Sequence, residues 1–446
     1  MPETHLSRRI VLQAALGTGV AAAGVVGAPR PSLAAGPLWK KFAGTSLDVL
    51  LEKGPRGDLL EKYVKEFTEL TGIRVSSGQS PEQHLRQRVT TALQSGRPGF
   101  DVVDVRYHVQ KRQFDKAGWL ADLSAFMADP TLTAPDLVRE DFSAAGQRYA
   151  ANADDELRSL PWSVDYWILY WNKELFARKN LRYPETFEDM VAAAEALTDP
   201  KEGHYGFVAR GLRNANVPVW SSFLLGYGGD FLDAQGNLLS DSAESIAAAR
   251  LYQRLLTKSA PPGVAAFNWA ECQSAFLQGK VAMWLDGIGF APAGEDPQKS
   301  RIVGKIGYGV MPKGPGARAS ATFGSGLGVA QASNKKEAAY LYCQWAVSKL
   351  MGARLLQSGA GVPFRHSVLA DAETRKGISM PAEWIEAVAQ SARISRLGLP
   401  SVVPVTAYRE SIGAALSATL AGADPAAEMK KATEHFRPVL MRSEKS

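Results

Sequence analysis

The sequence predicts an α/β fold in two lobes, and three observations carry that expectation. Short apolar runs alternate with helix-period segments from Leu47 onward, the pattern of βαβ units with right-handed crossovers. The chain has 446 residues and is 46% hydrophobic, enough for a sizeable core; at roughly 100–200 residues per domain, two lobes are expected. Two later runs, Leu160–Asp165 and Gly361–Arg365, read as segments crossing between the lobes.

In chain order, Leu47–Leu51 is the first strand, followed by the loop Glu52-Lys53-Gly54-Pro55-Arg56-Gly57. Asp58 and Glu61 have capping-box spacing, and Leu60, Val64, Phe67 and Leu70 make one apolar stripe up to Gly72. Ile73–Ser76 is a second strand, and Ser80-Pro81-Glu82-Gln83 opens a helix with proline in its first turn. Asp101–Val105 is mostly apolar on both faces, which predicts a central parallel strand. The helix after it ends at Gly118. Leu160–Asp165 leads into an aromatic strand, Tyr166–Trp171, and Asn172 starts a helix. Thr186 caps another, with Asp189 at its third position. Tyr205–Ala209 reads as a strand, Trp220–Tyr227 as a helix stopped at Gly228, and Ser242–Leu256 as a well-patterned helix. Lys305–Val310 and Gly324–Ala330 are strands on either side of the loop Pro312–Gly316, and Ser333–Leu350 is a helix. Beyond Gly361–Arg365 the chain reads as helical to Phe436.

The stretch Pro261–Gly287 runs through loop, helix, strand and turn. Asn268 caps the helix with Glu271 closing the box, Gly279 ends it, and Val281–Leu285 is a buried strand with Asp286 at its carboxyl end. Ligands of open α/β sheets gather at that end of the strands. Trp269, Glu271 and Asp286 there offer an aromatic face and two carboxylate acceptors, which suit a neutral polyhydroxy ligand. Each also has a structural reading: Glu271 as cap, Trp269 and Trp284 as core, Asp286 as turn residue.

The N-terminus carries Ser7-Arg8-Arg9-Ile10-Val11-Leu12, then an Ala/Gly/Val-rich run to Gly27 and Ser32-Leu33-Ala34 as a cleavage site. It resembles a twin-arginine signal peptide over residues 1–35, which implies export of a folded, soluble chain to the periplasm. No cysteine follows the apolar run, so no lipid anchor is expected. The formal charge is +6, and removing Met1–Ala35, with three arginines and one glutamate, leaves +4. That spread-out excess gives no reason to invoke nucleic acid or an anionic membrane surface. Cys272 and Cys343 lie in separate predicted helices and are expected as buried free thiols. The six histidines are scattered and no Cys-x-x-Cys or His-Glu-x-x-His occurs, so neither metal nor cofactor is expected.

Several segments together resemble the extracellular solute-binding proteins of ABC importers, in the carbohydrate-binding group that includes maltose-binding protein. They are Phe67–Val75, Phe100–Val105, Trp171–Phe176, Thr186–Met190, Gly228–Phe231 and Phe276–Met283, the last fitting the Phe-x-x-Gly-x-x-Ala-Met signature. The Pro-Pro-Gly-Val and Trp-x-Glu pieces look most like members that take sugar alcohols or monosaccharides. The resemblance implies a two-lobed periplasmic binding protein fold with hinge-crossing strands and a ligand cleft between lobes. It would place 44–156 with 314–362 in one lobe and 157–313 with 363–440 in the other. The crossings would fall at Asp155–Asp165, Val310–Gly316 and Gly361–Arg365.

It further implies cleft residues at the strand ends. Glu52, Arg56, Gln79, Arg106 and Tyr107 would line the first lobe; Asp165, Arg210, Trp220, Trp269, Glu271 and Asp286 the second; Arg365 and Tyr408 would approach. Arg106-Tyr107 stands where the maltose-type proteins carry a stacking aromatic, which favours a small ligand. The implied partners are a small sugar or polyol and the transmembrane subunits of an ABC permease, with the protein a monomer. The competing class is a secreted carbohydrate-active enzyme with Glu271 and Asp286 as paired carboxylates, which would have to lie about 5–5.5 Å apart for a retaining mechanism.

Overall fold

In the computed structural model, which describes residues 37–445, the crossing segment and the aromatic run are one strand. This strand, β4 (Leu160–Asn172), follows β1 (Ser46–Glu52), β2 (Arg74–Ser80) and β3 (Val102–Val105), and precedes β5 (Met283–Gly287), β6 (Ile306–Val310), β7 (Ser320–Val329), β8 (Val362–Pro363) and β9 (Ser395–Leu397). The strands are ordered β2-β1-β3-β7-β4-β5, with β6 and β8 also on β4 and β9 on β7. Thirteen residues of extended chain rich in β-branched and aromatic side chains are long enough to serve two lobes. The first half of β4, Leu160–Tyr166, pairs antiparallel with β7 (Leu160 opposite Leu327, Tyr166 opposite Thr322). From Trp167 onward it lies between β5 and β6 instead (Trp167 opposite Gly287, Ile168 opposite Val310). The changeover at Asp165–Trp167 is the pass from one part of the sheet to the other.

One lobe is built on β1 with β2 and β3, both parallel to it, and helices Pro55–Thr71 and Glu82–Gln94. The other holds β5, β6 and helices Val217–Gly226, Ala243–Lys258 and Trp269–Leu277, with Val405–Leu420 and Pro425–Lys445 packed on Ala243–Lys258. Helix caps follow their chemistry: Thr186 and Asp189 close a capping box, as do Asn268 and Glu271.

Several local expectations are corrected. The first helix starts at Pro55, where the ring pre-sets the helical φ, so Asp58 sits inside its first turn and accepts from Gln79 Nε2 at 3.0 Å rather than capping. Pro81 is the residue before the next helix, not its first turn. β3 is central, but only β1 is parallel to it; β7, arriving from the crossing, is antiparallel. An apolar run reports burial on both faces and not the direction of its neighbours. Tyr205–Ala209 makes only isolated parallel bridges, Tyr205 with Val281 and Val208 with Trp284. Ser333–Leu350 is shorter than expected: a helix runs Lys336–Ala346, and Ser348, accepting from Met351 N, caps a second one at Lys349–Gln357. Cys272 and Cys343 are buried free thiols. The twin-arginine segment and the cleavage site near Ala34 lie outside the described residues. Among the described residues no helix is long and apolar enough to cross a membrane.

Candidate functional site

A cleft of about 850 Å³ opens between the lobes, at the carboxyl ends of β1 and β3 and over the crossing strands. Its first wall begins where β1 stops. Glu52 ends the strand and the helix at Pro55 starts almost at once, turning back over it. Gly57 permits that approach, since a Cβ there would meet the Glu52 carbonyl oxygen at 2.3 Å. The turn aims Arg56 at the pass: its Nη2 donates to Asp165 Oδ1 and its Nε to the Ala360 carbonyl at 3.4 Å. Arg106, just beyond β3, donates from Nε to Glu52 Oε2 at 3.0 Å and from Nη2 to Glu52 Oε1 at 2.8 Å, and its Nη1 reaches Asp165 Oδ2 at 3.5 Å. Two arginines of the first lobe therefore converge on one carboxylate of the crossing strand. Glu82 and Arg86, one helical turn apart, complete this wall with a 3.0 Å ion pair.

The opposite wall is aromatic and holds another guanidinium. Arg210 donates from Nε to Asp286 Oδ2 at 2.9 Å, while its guanidinium lies 5.1 Å from the Trp167 ring and 5.8 Å from that of Phe290. Trp269 stacks on Phe290 with ring centroids 5.0 Å apart, and Phe323 meets Trp167 edge-on at 6.0 Å. Asp165 and Trp167 reach the same space because residues two apart on a strand share a face. Rings flanked by fixed charged groups can cover C–H faces while donating to and accepting from hydroxyls.

Burial sets the electrostatics. It pushes Glu52 up to about 7, against the pull of Arg106. Burial also works to raise Glu82, but Arg86, Arg106, Arg409 and Arg210 outweigh it and bring that carboxyl down to about 2. Asp165 is likewise held low, burial being overcome by Arg56 and then Arg106. Burial disfavours charge on Arg210, yet Asp286 keeps it protonated. Arg409 is lowered to about 9, by burial first and then by repulsion from Arg86.

The cleft brings together Glu52, Arg56, Arg106, Asp165, Arg210 and Trp269 of the expected set. The others stand elsewhere. Asp286 is fully buried behind Arg210, spending its oxygens on that side chain and on the Gly287 amide at 2.7 Å. Glu271 is exposed and accepts from the Asn268 amide at 2.9 Å, the cap reading of this residue. These two carboxylates, paired in the hydrolase reading, do not face a common space. Trp220 is core, its Nε1 donating to the Ser245 carbonyl at 3.1 Å. Tyr408 is buried against Phe231 and Phe436 with its hydroxyl 3.2 Å from Ser240 Oγ. Arg365 is buried away from the cleft, where its Nε donates to Asp141 Oδ2 at 2.7 Å. Gln79 turns onto Asp58. Tyr107 begins the helix Tyr107–Ala117, and its side chain lies outside the described residues.

Sequence reasoning missed Glu82, Arg86, Trp167, Phe290, Phe323 and Arg409 as cleft residues. Signals existed for two: Glu82 follows the end of β2 as Glu52 ends β1, and Trp167 is two positions from Asp165. Among the described residues no group of three or more His, Cys, Asp or Glu side chains could hold a metal ion.

The chain is similar to known proteins over most of its length. The family model described as bacterial extracellular solute-binding protein matches residues 53–349. A probable amino-acid ABC transporter periplasmic-binding protein of Sinorhizobium fredii is 28% identical over 350 residues, 77% of this chain and 78% of that one. An erythritol/L-threitol-binding protein of Mycolicibacterium smegmatis is 25% identical over 349 residues, 74% of this chain and 72% of that one. An ABC transporter solute-binding protein of Agrobacterium radiobacter K84, solved in complex with ribitol, superposes with a TM-score of 0.81 at 26% identity, covering 89% of this chain and 99% of its own.

Proposed function

The chain belongs to the bacterial extracellular solute-binding proteins, and within that family we propose that it captures a small sugar or sugar alcohol in the cleft and hands it to the membrane subunits of an ABC permease. The observation that carries this reading is the make-up of the cleft: the rings of Trp269, Phe290 and Phe323 beside the ion-paired groups Glu52–Arg106, Arg56–Asp165 and Glu82–Arg86. Each ligand hydroxyl that leaves water needs a partner in the site or costs about 1–3 kcal/mol. Paired carboxylates and guanidiniums supply donors and acceptors that are already oriented, so little ordering remains to be done on binding. The names of the Mycolicibacterium relative and the ribitol complex support the same ligand class.

Binding without chemical change is the whole task in this reading, and energy for transport enters through the permease. The lobes are 44–156 with 314–362 and 157–313 with 363–440, linked where β4 pairs with β7; the protein acts as a monomer, exported by the twin-arginine route and not lipid-anchored. A thermal-shift screen over tetritols, pentitols, hexitols, aldoses, sugar acids and amino acids tests the ligand class, because a ligand specific to the folded state raises the melting temperature by mass action. A shift confined to polyhydroxy compounds is the expected result. A shift confined to amino acids, in line with the name of the Sinorhizobium relative, would overturn it.

A further inference from the structure

Among the described residues five arginines line the cleft, and four of them carry a carboxylate partner: Arg56, Arg86, Arg106 and Arg210 are each ion-paired. Arg409 is the fifth. It projects from helix Val405–Leu420 and is only 6% exposed. Its Nη2 donates to the Asn214 carbonyl at 3.0 Å, its Nε finds no partner, and it forms no ion pair among the described residues. A guanidinium buried to that degree without a counter-charge is normally removed or paired, because the uncompensated charge costs several kcal/mol. Burial lowers Arg409 most, and repulsion from Arg86 lowers it more than Glu82 raises it, though at about 9 it remains protonated at neutral pH. Both guanidiniums line the same cleft, so a negative group bound beside Arg409 would relieve the repulsion between them.

We propose that the ligand of this cleft is a polyhydroxy compound bearing one oxyanion group, carboxylate or phosphate, which Arg409 pairs with on binding. The proposal rests on the polyhydroxy reading of the site and adds the charge. The neighbouring rings and fixed pairs take the uncharged part of the molecule, and the oxyanion pairs with the cleft guanidinium that has no ion pair among the described residues.

Isothermal titration of the mature protein with a neutral alditol, the aldonate of the same carbon skeleton and the corresponding alditol phosphate tests it. The expected result is that at least one of the two anions binds about tenfold or more tighter than the alditol, a difference of about 1.4 kcal/mol. Whichever anion wins identifies the group. Arg409→Met should abolish the preference, and Arg409→Lys, which keeps the charge but not the fork, should retain part of it. If Arg409→Met does not fold, the wild-type comparison decides alone. Equal affinity for all three compounds overturns the anionic ligand, and a preference undiminished in a folded Arg409→Met overturns its pairing with Arg409; either result leaves the polyhydroxy reading in place. Binding of none of the three, with an amino acid binding instead, overturns both.

Discussion

Asp286 and Glu271 illustrate how two residues with the same apparent promise are used differently by the fold. Asp286 is fully buried and is the counter-charge of Arg210. Asp286→Ala should therefore lower stability by about 3–5 kcal/mol, since breaking a buried pair leaves a charge uncompensated, and should also weaken ligand binding through the displaced Arg210. Glu271→Ala removes one half of a capping box and should lower the melting temperature modestly while leaving affinity unchanged. Melting and titration of both variants check the contrast; loss of affinity in Glu271→Ala would return that residue to the site. Glu82 gives a pH prediction. Its carboxyl, held near 2 in the folded state, has an unfolded pKa of about 4.3, so its contribution is complete above that value and is lost as pH falls toward 2. Wild type should lose more stability than Glu82→Gln between those pH values, and parallel melting curves would refute the assignment. Such roles were only partly legible in the sequence. Tyr408 was expected to approach the cleft, but it is the adjacent Arg409 that does so. One residue turns a helix by about 100°, and sequence periodicity does not settle which face meets a gap between lobes.

At the scale of elements, local chemistry was readable and long-range pairing was not. Thr186 and Asn268 lie where their capping boxes place them, because a cap is satisfied within four residues of chain. The antiparallel arrival of β7 beside β3, and the union of Leu160–Asp165 with Tyr166–Trp171 into β4, depend on partners over a hundred residues away. The element that positions the first wall is the turn from β1 into helix Pro55–Thr71, and Gly57 is its tight point. Gly57→Ala would force the helix off the strand end, with overpacking of about 1–3 kcal/mol, and would carry Arg56 away from Asp165. Both lower stability and weaker ligand binding are expected. An unaltered melting temperature would mean that the turn has slack that the 2.3 Å approach of a Cβ to the Glu52 carbonyl denies.

At the scale of the molecule, the two-lobed α/β plan was legible because alternating strands and helices, chain length and recurring family motifs all point the same way. The cleft's charge pairing was not, because it joins side chains from β1, β3, β4 and helices far apart in sequence. Export belongs to this scale as well. Changing Arg8 and Arg9 together to lysine should leave the precursor in the cytoplasm, checked by fractionation; undiminished mature protein in the periplasm would refute the twin-arginine assignment.

On the proposed reading the cleft retains one polyhydroxy solute and does nothing else to it. Equilibrium dialysis of the mature protein against the best compound of the thermal-shift screen, radiolabelled, with chromatography of the ligand recovered afterwards, tests it most directly. One ligand held per chain and recovered unaltered is the expected result. Failure to retain it, or its steady conversion into a product, would refute that reading.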